Sequence, residues 1–309
     1  MTARLMLLDA ASLYFRAFHG VPDTRRSPQE PPTNAVRGFL DMVATLLTAH
    51  RPTDLVACWD DDWRPQWRVD LIPTYKTHRL TEGSEVAEES PPELTPQVPV
   101  IVDALAALGI ARLGAPGFEA DDVIGTLVAR HHGRVPVDVV TGDRDLFQLV
   151  DDAAGVRVLY TARGGVRDPD VVDQAYLASR YAVPSGDAYV DLAVLRGDAS
   201  DGLPGVPGVG EKTAAALLAT FGSLAGLRAA LDAGDPRLKG ARREKLRYAA
   251  SYLDVAPTVV RVAADAPVAD TSTALPTEVA DPARLAELVE AHGIGSPVGR
   301  VLTALGLAG

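Results

Sequence analysis

Positive charge is scarce in this chain. Against 41 aspartates and glutamates stand only 30 lysines and arginines in 309 residues, a formal net charge of −11. That balance argues against a protein that coats nucleic acid with a basic surface, unless the acids are concentrated where other cations replace them. Cysteine is nearly absent: Cys58 is the only one, it lies inside the apolar run LVACW, and it excludes any intrachain disulfide. Its thiol reads as buried and inert. The six histidines (His19, His50, His78, His131, His132, His292) have no metal-ligand spacing, which removes the usual zinc signatures. The pair His131-His132, at a helix end, reads as a dipole or solvent contact. No apolar run approaches the ~20 residues that cross a bilayer, and MTARLMLLD has too short an apolar core for a signal peptide. The expected compartment is the cytoplasm. Aromatics are 6 % of the chain, so a local cluster of them is informative.

What is present is ordinary globular material, 47 % hydrophobic and 23 % charged, enough for one large domain or two modest ones. Three short apolar runs each finish on an aspartate: Leu5 to Leu8 before Asp9, Leu55 to Trp59 before Asp60, and Val135 to Val140 before TGDRD, which holds Asp143 and Asp145. Continuous apolar runs without alternation suit parallel strands covered on both faces. Helical patterns fall between them, at Thr33 (as cap) to Leu47, Val98 to Leu108 and Asp121 to Arg130. Alternating strand and helix predicts an α/β fold with a mostly parallel central sheet flanked by helices, whose ligands bind beyond the carboxyl ends of the strands.

A single aspartate after a strand is a turn former. Three of them, joined by Glu119, Asp121 and Asp122 at a helix start, point to a shared anionic site. Asp198 and Asp201 add to it, since a spacing of three puts both on one face of a helical turn. Like charges so crowded repel strongly in a low dielectric. Hard divalent cations relieve this, and an all-oxygen donor set selects Mg²⁺ or Mn²⁺ over zinc.

Two further stretches suggest what the site acts on. Residues 63–98 begin by interleaving aromatics with cations (Trp63-Arg64, Trp67-Arg68, Tyr75-Lys76, Arg79), the composition of a surface that stacks bases and neutralises phosphates. The polar run Leu80 to Pro99 that follows predicts a flexible arch. Directly after Asp198 and Asp201, Gly205-Val206-Pro207-Gly208-Val209-Gly210 forbids a continuing helix, and Glu211-Lys212-Thr213 opens a new one. A glycine turn feeding a helix start leaves free N–H groups that favour phosphate. Beyond Val183-Pro184 the pattern is helical and strand-poor. It contains the basic run Arg237 to Arg247 with Arg242 and Arg243, then a linker, a short extended piece and a closing helix from Ala283 to Ala291. The expected division is a core at 1–181, with its arch at about 63–98, and a helical module at 182–309.

Taken together, LLDAASLYFRAF (Leu7–Phe18), GFEADDVIGTL (Gly117–Leu127), VVTGDRDLFQLV (Val139–Val150) and GDASDGLPGVPGVGEKTA (Gly197–Ala214) resemble the 5′ nuclease family. That family includes the 5′→3′ exonuclease domain of bacterial DNA polymerase I, phage 5′ nucleases and the flap endonucleases. The resemblance runs from Leu5 to about Leu253. No polymerase region follows, so it is to a stand-alone version. It implies a PIN-like nuclease core, with Asp9, Asp60, Glu119 and Asp121 as a first metal cluster. Asp143, Asp145, Asp198 and Asp201 form the second, with Asp122 beside both. It implies two or three Mg²⁺ or Mn²⁺ ions, and Arg16, Lys76 and Arg79 around the scissile phosphate. Tyr75 matches an aromatic that stacks on a base; because the arch of this chain is acidic, strand threading is expected to lean on Arg64, Arg68, Lys76 and Arg79. The stretch Leu203–Thr213, with Gly205, Gly208, Gly210, Lys212 and Thr213, matches a helix–two-turn–helix that grips duplex DNA, often with K⁺. The implied activity is hydrolysis of DNA at 5′ ends, nicks and 5′ flaps in replication and repair, by a monomer linked functionally to a polymerase and a ligase.

Three departures qualify the match. The arch is acidic from Glu82 to Glu93 (Glu82, Glu85, Glu88, Glu89, Glu93), Pro207 stands where lysine is common, and Gly202 replaces a usual asparagine. Weaker, more salt-sensitive duplex binding is the expectation. Two rival readings are a related single-strand ribonuclease and a non-catalytic branched-DNA binding protein. The first usually lacks the duplex-gripping turn, and the second should have lost at least one carboxylate.

Overall fold

The apolar runs form the middle of a six-stranded sheet. The computed structural model describes residues 3–25, 27, 29–84 and 87–308; Glu85 of the acidic stretch lies outside these. Strands β1 (Leu5–Asp9), β2 (Asp54–Cys58), β3 (Ala111–Leu113), β4 (Val137–Thr141), β5 (Val156–Tyr160) and β6 (Asp170–Val172) lie in the order β3-β2-β1-β4-β5-β6. All neighbours are parallel except β5 and β6. Successive residues of each strand serve opposite faces. Leu5 and Leu7 belong to one apolar core and Met6 and Leu8 to the other, which is why β1 reads as an unbroken apolar run. Each such side chain, fully buried, stabilises the fold by about 1.5–3 kcal/mol. The one charge inside a central strand, Asp138, is buried between Arg4 (2.6 Å) and Arg157 (2.7 Å).

On one face lie α1 (Ala10–Gly20), α2 (Asn34–His50) and, after the short α3 (Gln66–Leu71), α4 (Gln97–Leu108). Helix α5 (Ala120–His131) covers the other. Thr33 occupies the cap position of α2 but makes no side-chain cap bond. The free N–H groups of Ala35 (2.8 Å) and Val36 (3.4 Å) donate instead to the buried side chain of Gln97, so a different helix supplies the cap. The arch stretch carries backbone pairing of its own: Thr81 N–H donates to Ala87 O at 2.9 Å and Glu89 N–H to Arg79 O at 2.7 Å, and Leu94 is buried.

The strand-poor half contains α6 (Gln174–Tyr181), α7 (Gly186–Arg196), α8 (Glu211–Phe221), α9 (Leu224–Asp232), α10 (Gly240–Tyr248) and α11 (Ala250–Val260), with α8 and α11 packed on α7. The chain then returns. Residues 273–275 run beside the start of β2, α12 (Pro282–His292) packs on α4, and α13 (Gly295–Leu305) packs on α2. Sequence order groups these last helices with the helical module, yet they cover the half of the chain that carries the sheet. Helix α13 lies beyond the one closing helix, Ala283 to Ala291, that the sequence delimits. Gly295, Pro297 and Gly299 hide it by propensity, and burial of Val298 and Val301 against α2 holds it.

Candidate active site

The carboxyl ends of β1, β2 and β4 meet where the sheet's connections diverge, the usual place for a ligand in an α/β sheet. Asp9 ends β1 and caps α1, accepting from Ser12 N–H at 3.0 Å. Its other oxygen accepts from Thr141 Oγ1 at 2.7 Å, and Thr141 Oγ1 in turn accepts from Asp143 N–H at 2.9 Å. One threonine at the end of β4 therefore orients two acids. Asp60, beyond β2, accepts from Ala120 N–H at 2.8 Å at the start of α5, a position the helix dipole favours for an anion. Glu119 and Asp121 flank that same start.

These groups open onto one cleft of about 620 Å³, lined by Asp9, Asp60, Glu119, Asp121, Asp143 and Asp198 with Lys76 and Arg79 at its edge. Asp145 and Asp201 are not part of the lining but stand beside it. Asp145 feels the charges of Asp143, Asp201 and Asp198, and Asp201 accepts from Arg79 at 2.8 Å. No histidine lines the cleft.

The electrostatics divide the acids in two. Asp9, Asp60, Asp121, Asp143 and Asp145 form no ion pair within 4 Å among the described residues, whereas Glu119, Asp122, Asp198 and Asp201 do. Burial pushes the Asp9 carboxyl up to about 7, and the charges of Asp60 and Asp143 add to it. Burial likewise raises Asp121 and Asp145 well above the carboxylate range, and Asp60 and Asp201 less far. Desolvated like charges without partners are costly. The hard-oxygen donor set and the missing counter-charge both suit a divalent cation. Among the described residues, no three acidic, histidine or cysteine side chains converge closely enough to hold an ion as they stand.

Several expected roles are corrected. Asp122 is fully buried and faces away from the cleft. It grips the Arg68 guanidinium through two bonds of 2.6 and 2.7 Å and accepts from Ala263 N–H at 2.8 Å. Arg68, 2 % exposed, also holds Glu119 (2.8 Å) and donates to Val259 O (3.0 Å), so no phosphate reaches it. Tyr75 is 4 % exposed and its hydroxyl donates to Glu119 at 2.7 Å, which leaves no face for a base. Lys76 lines the cleft as expected but is paired with Glu119, both of whose oxygens have donors. Arg64 donates to Tyr75 O (2.7 Å) and Pro73 O (3.3 Å), bracing the arch base. Arg16 lies in the next groove, with Phe15, His19 and Met42, and donates to Ala162 O at 3.4 Å. The Trp67-Arg68 and Tyr75 part of the aromatic–cation interleaving thus folds inward, whereas Trp63, Lys76 and Arg79 line the cleft. Arg68 stacks 4.2 Å over Trp67, a pattern that sequence alone does not separate from a base-stacking surface. Sequence reasoning missed Thr141, Asp61 and Glu88, the last two of which line the cleft. Asp61 was hidden beside Asp60, and Glu88 within the acidic run.

The glycine turn is joined to the cleft through backbone. Val206 N–H donates to Leu195 O at 3.0 Å, and Asp198 and Leu203 exchange bonds of 2.9 and 2.8 Å. Gly205 has φ +63°, and a Cβ there would stand 2.5 Å from Arg196 O. Gly202 has φ +69° and lies so close to the arch that a Cβ would meet Thr74 O at 2.0 Å. Lys76 N–H donates to Asp201 O (3.0 Å) and Thr74 Oγ1 to Gly202 O (2.7 Å). This departure therefore seats the arch on the second acidic cluster. The turn through Gly208 and Gly210 leads into α8, whose cap residue Gly210 offers no side-chain acceptor. Lys212, Thr213 and Arg242 line a shallow hollow of about 340 Å³ there with Arg237. Arg243 turns inward to Asp235 O at 3.0 Å.

Comparison with known proteins agrees with this layout. Residues 4–182 match the family model of the 5′-3′ exonuclease N-terminal resolvase-like domain, and residues 185–283 that of the 5′-3′ exonuclease C-terminal SAM fold. A 5′-3′ exonuclease of Streptomyces coelicolor is 59 % identical over 303 residues, covering 97 % of this chain and 99 % of that one. DNA polymerase I of Mycobacterium bovis is 41 % identical over 244 residues, 78 % of this chain but 26 % of the polymerase. Among solved structures, the bacteriophage T5 D15 flap endonuclease in a pseudo-enzyme–product complex with DNA and metal ions superposes with a TM-score of 0.64 at 17 % identity, covering 99 % of each chain. The two matched models span nearly the whole chain, which therefore belongs to the 5′-3′ exonuclease family.

Proposed function

We propose that this enzyme is a structure-specific 5′ nuclease that hydrolyses DNA phosphodiesters at 5′ ends, nicks and 5′ flaps during cytoplasmic DNA replication and repair. The observation that carries the reading is the meeting of Asp9, Asp60, Asp121 and Asp143, from four separate stretches of chain, in one cleft edged by Lys76 and Arg79. Asp9, Asp60, Asp121 and Asp143, with Asp145, Asp198 and Asp201 beside them, would hold two or three Mg²⁺ or Mn²⁺ ions. Such ions, when bound, supply the positive charge that lets a water lose its proton near neutral pH and that offsets charge on the leaving oxygen.

The chain's own groups do the rest. Thr141 fixes the rotamers of Asp9 and the backbone of Asp143. Lys76 and Arg79 stand where phosphate oxygens would be held, each kept in place by an acid that a phosphate can displace. The α8 N-terminus with Lys212 and Thr213, and Arg242 across the hollow, grips the duplex backbone without reading bases.

The test is cleavage of labelled nicked, gapped and flapped DNAs, beside RNA strands of the same sequence, with Mg²⁺, Mn²⁺ or chelator. Ion-dependent products with 5′-phosphate and 3′-hydroxyl ends on DNA are expected. Cleavage confined to single-stranded RNA, or none on any strand, overturns the reading.

A further inference from the structure

From Leu80 to Ala111 the sequence has no lysine or arginine. The limb of the arch that returns toward α4 is therefore purely acidic, and its backbone pairing decides which acid faces the site. Leu80 bridges Glu88 in antiparallel fashion, with Thr81 N–H on Ala87 O and Glu89 N–H on Arg79 O. The Glu88 side chain is thereby half-buried and lines the cleft with Lys76, Arg79 and Asp60, while Glu82 and Glu89 are exposed outside it. Lys76 and Arg79 are taken by Glu119 and Asp201. Among the described residues, Glu88 has no basic partner within 4 Å; it feels Arg79 and Lys76 only at longer range and adds a negative charge beside the two cations that meet the phosphate.

A substrate feels this charge in proportion to the phosphates it brings past the limb. At a nick or a one-nucleotide flap, the scissile phosphate reaches the cleft with Lys76 and Arg79, and few further phosphates pass the limb. A long displaced strand carries one further negative charge per nucleotide past a limb that itself bears no lysine or arginine. Resting on the nuclease reading of this site, we propose that Glu88 is a specificity-determining residue that biases the enzyme toward 5′ ends and very short 5′ flaps and against long single-stranded ones.

The experiment measures kcat/KM with Mg²⁺ on matched duplexes bearing a one-nucleotide or an about 15-nucleotide 5′ flap, at low and at moderate salt. Wild type is compared with Glu88→Gln, Glu88→Lys and the exposed control Glu82→Gln. The expected result is a wild type faster on the short flap. Glu88→Gln raises long-flap kcat/KM several-fold through KM, and Glu88→Lys raises it further. The short-flap value stays within about twofold, and added salt narrows the wild-type ratio as exposed charges are screened. Equal or better wild-type cleavage of the long flap overturns the proposal. A Glu88→Gln enzyme slowed on both substrates overturns it too, as does a Glu82→Gln effect as large as that of Glu88→Gln. A wild type active on both flaps without preference refutes only the role of Glu88; one inert on every DNA refutes the nuclease reading along with it.

Discussion

Asp121 and Asp122 are neighbours in sequence with opposite fates. Asp121 enters the cleft, where partial burial raises its carboxyl well above the usual range, and it gains no cation within ion-pair distance. Asp122, one residue on, turns inward, where Arg68, Ala263 N–H and Glu119 N–H satisfy both its oxygens. Around the first lie Asp9, Asp60 and Asp143; around the second lie Arg68, Tyr75 and the chain segment 259–263. The molecule thus holds an unsatisfied acidic cluster beside a satisfied one, and only the unsatisfied cluster has unspent affinity for a ligand. The satisfied cluster is a joint. Through Arg68 it ties the arch, the start of α5 and the end of α11 together.

The largest effect separating the two comes from Asp121→Asn. Removing one charge from the cleft should lower turnover by roughly 10²–10⁴-fold, the equivalent of about 3–5 kcal/mol of barrier. DNA affinity should change little, and the melting temperature should hold or rise because an unpaired buried charge is gone. Single-turnover kinetics and thermal melts check both halves; a melting temperature that collapses would mean Asp121 is structural. The mirror-image variant, Arg68→Met, leaves Asp122 buried without a cation and Glu119 with Lys76 alone, and should cost about 3–5 kcal/mol of stability. Denaturant unfolding measures it, and near-neutral stability would show the joint to be dispensable.

A finer contrast uses the cation itself. Mg²⁺ at about a hundred times its dissociation constant should stabilise the folded protein by about 2.7 kcal/mol. Chelator should remove that gain, and Asp121→Asn should diminish it while Asp187→Asn, on a distant surface ion pair, does not. Calorimetric melts with and without Mg²⁺ read this directly. The smallest expected effects belong to the helical module. Lys212→Ala and Arg242→Ala should each remove about one phosphate contact, flattening the slope of log affinity against log salt by about 0.9 apiece with cleavage chemistry unchanged. A titration of duplex binding at several salt concentrations decides the matter, and an unaltered slope would place the duplex elsewhere.

Much of this was legible before any coordinates. Apolar runs ending in Asp9, Asp60 and Asp143 announced parallel strands delivering carboxylates to one edge, because a strand buried on both faces leaves a polar residue its end unless, like Asp138, it is paired inside. The glycine turn before Lys212 was equally legible, since φ values of +63° and +74° at Gly205 and Gly208 require that residue type. Tyr75, Arg68 and Arg64 were misplaced for a common reason. An arginine beside an aromatic has the same composition whether it faces DNA or a buried glutamate, and only packing decides which. Gly202 and Thr33 teach the same lesson at the backbone: one is spaced for the approach of Thr74, the other relieved of capping by Gln97 from another helix.

The sequence by itself determined the local matters of strand, helix and turn, together with the supply of acids, since period, propensity and capping act within a few residues. Which acids were left without a partner, and that Glu88 would join Lys76 and Arg79 at the cleft, only the tertiary structure decided. Desolvation and charge pairing depend on neighbours brought from dozens of residues away, and those arrive only when the sheet closes and the helices pack upon it.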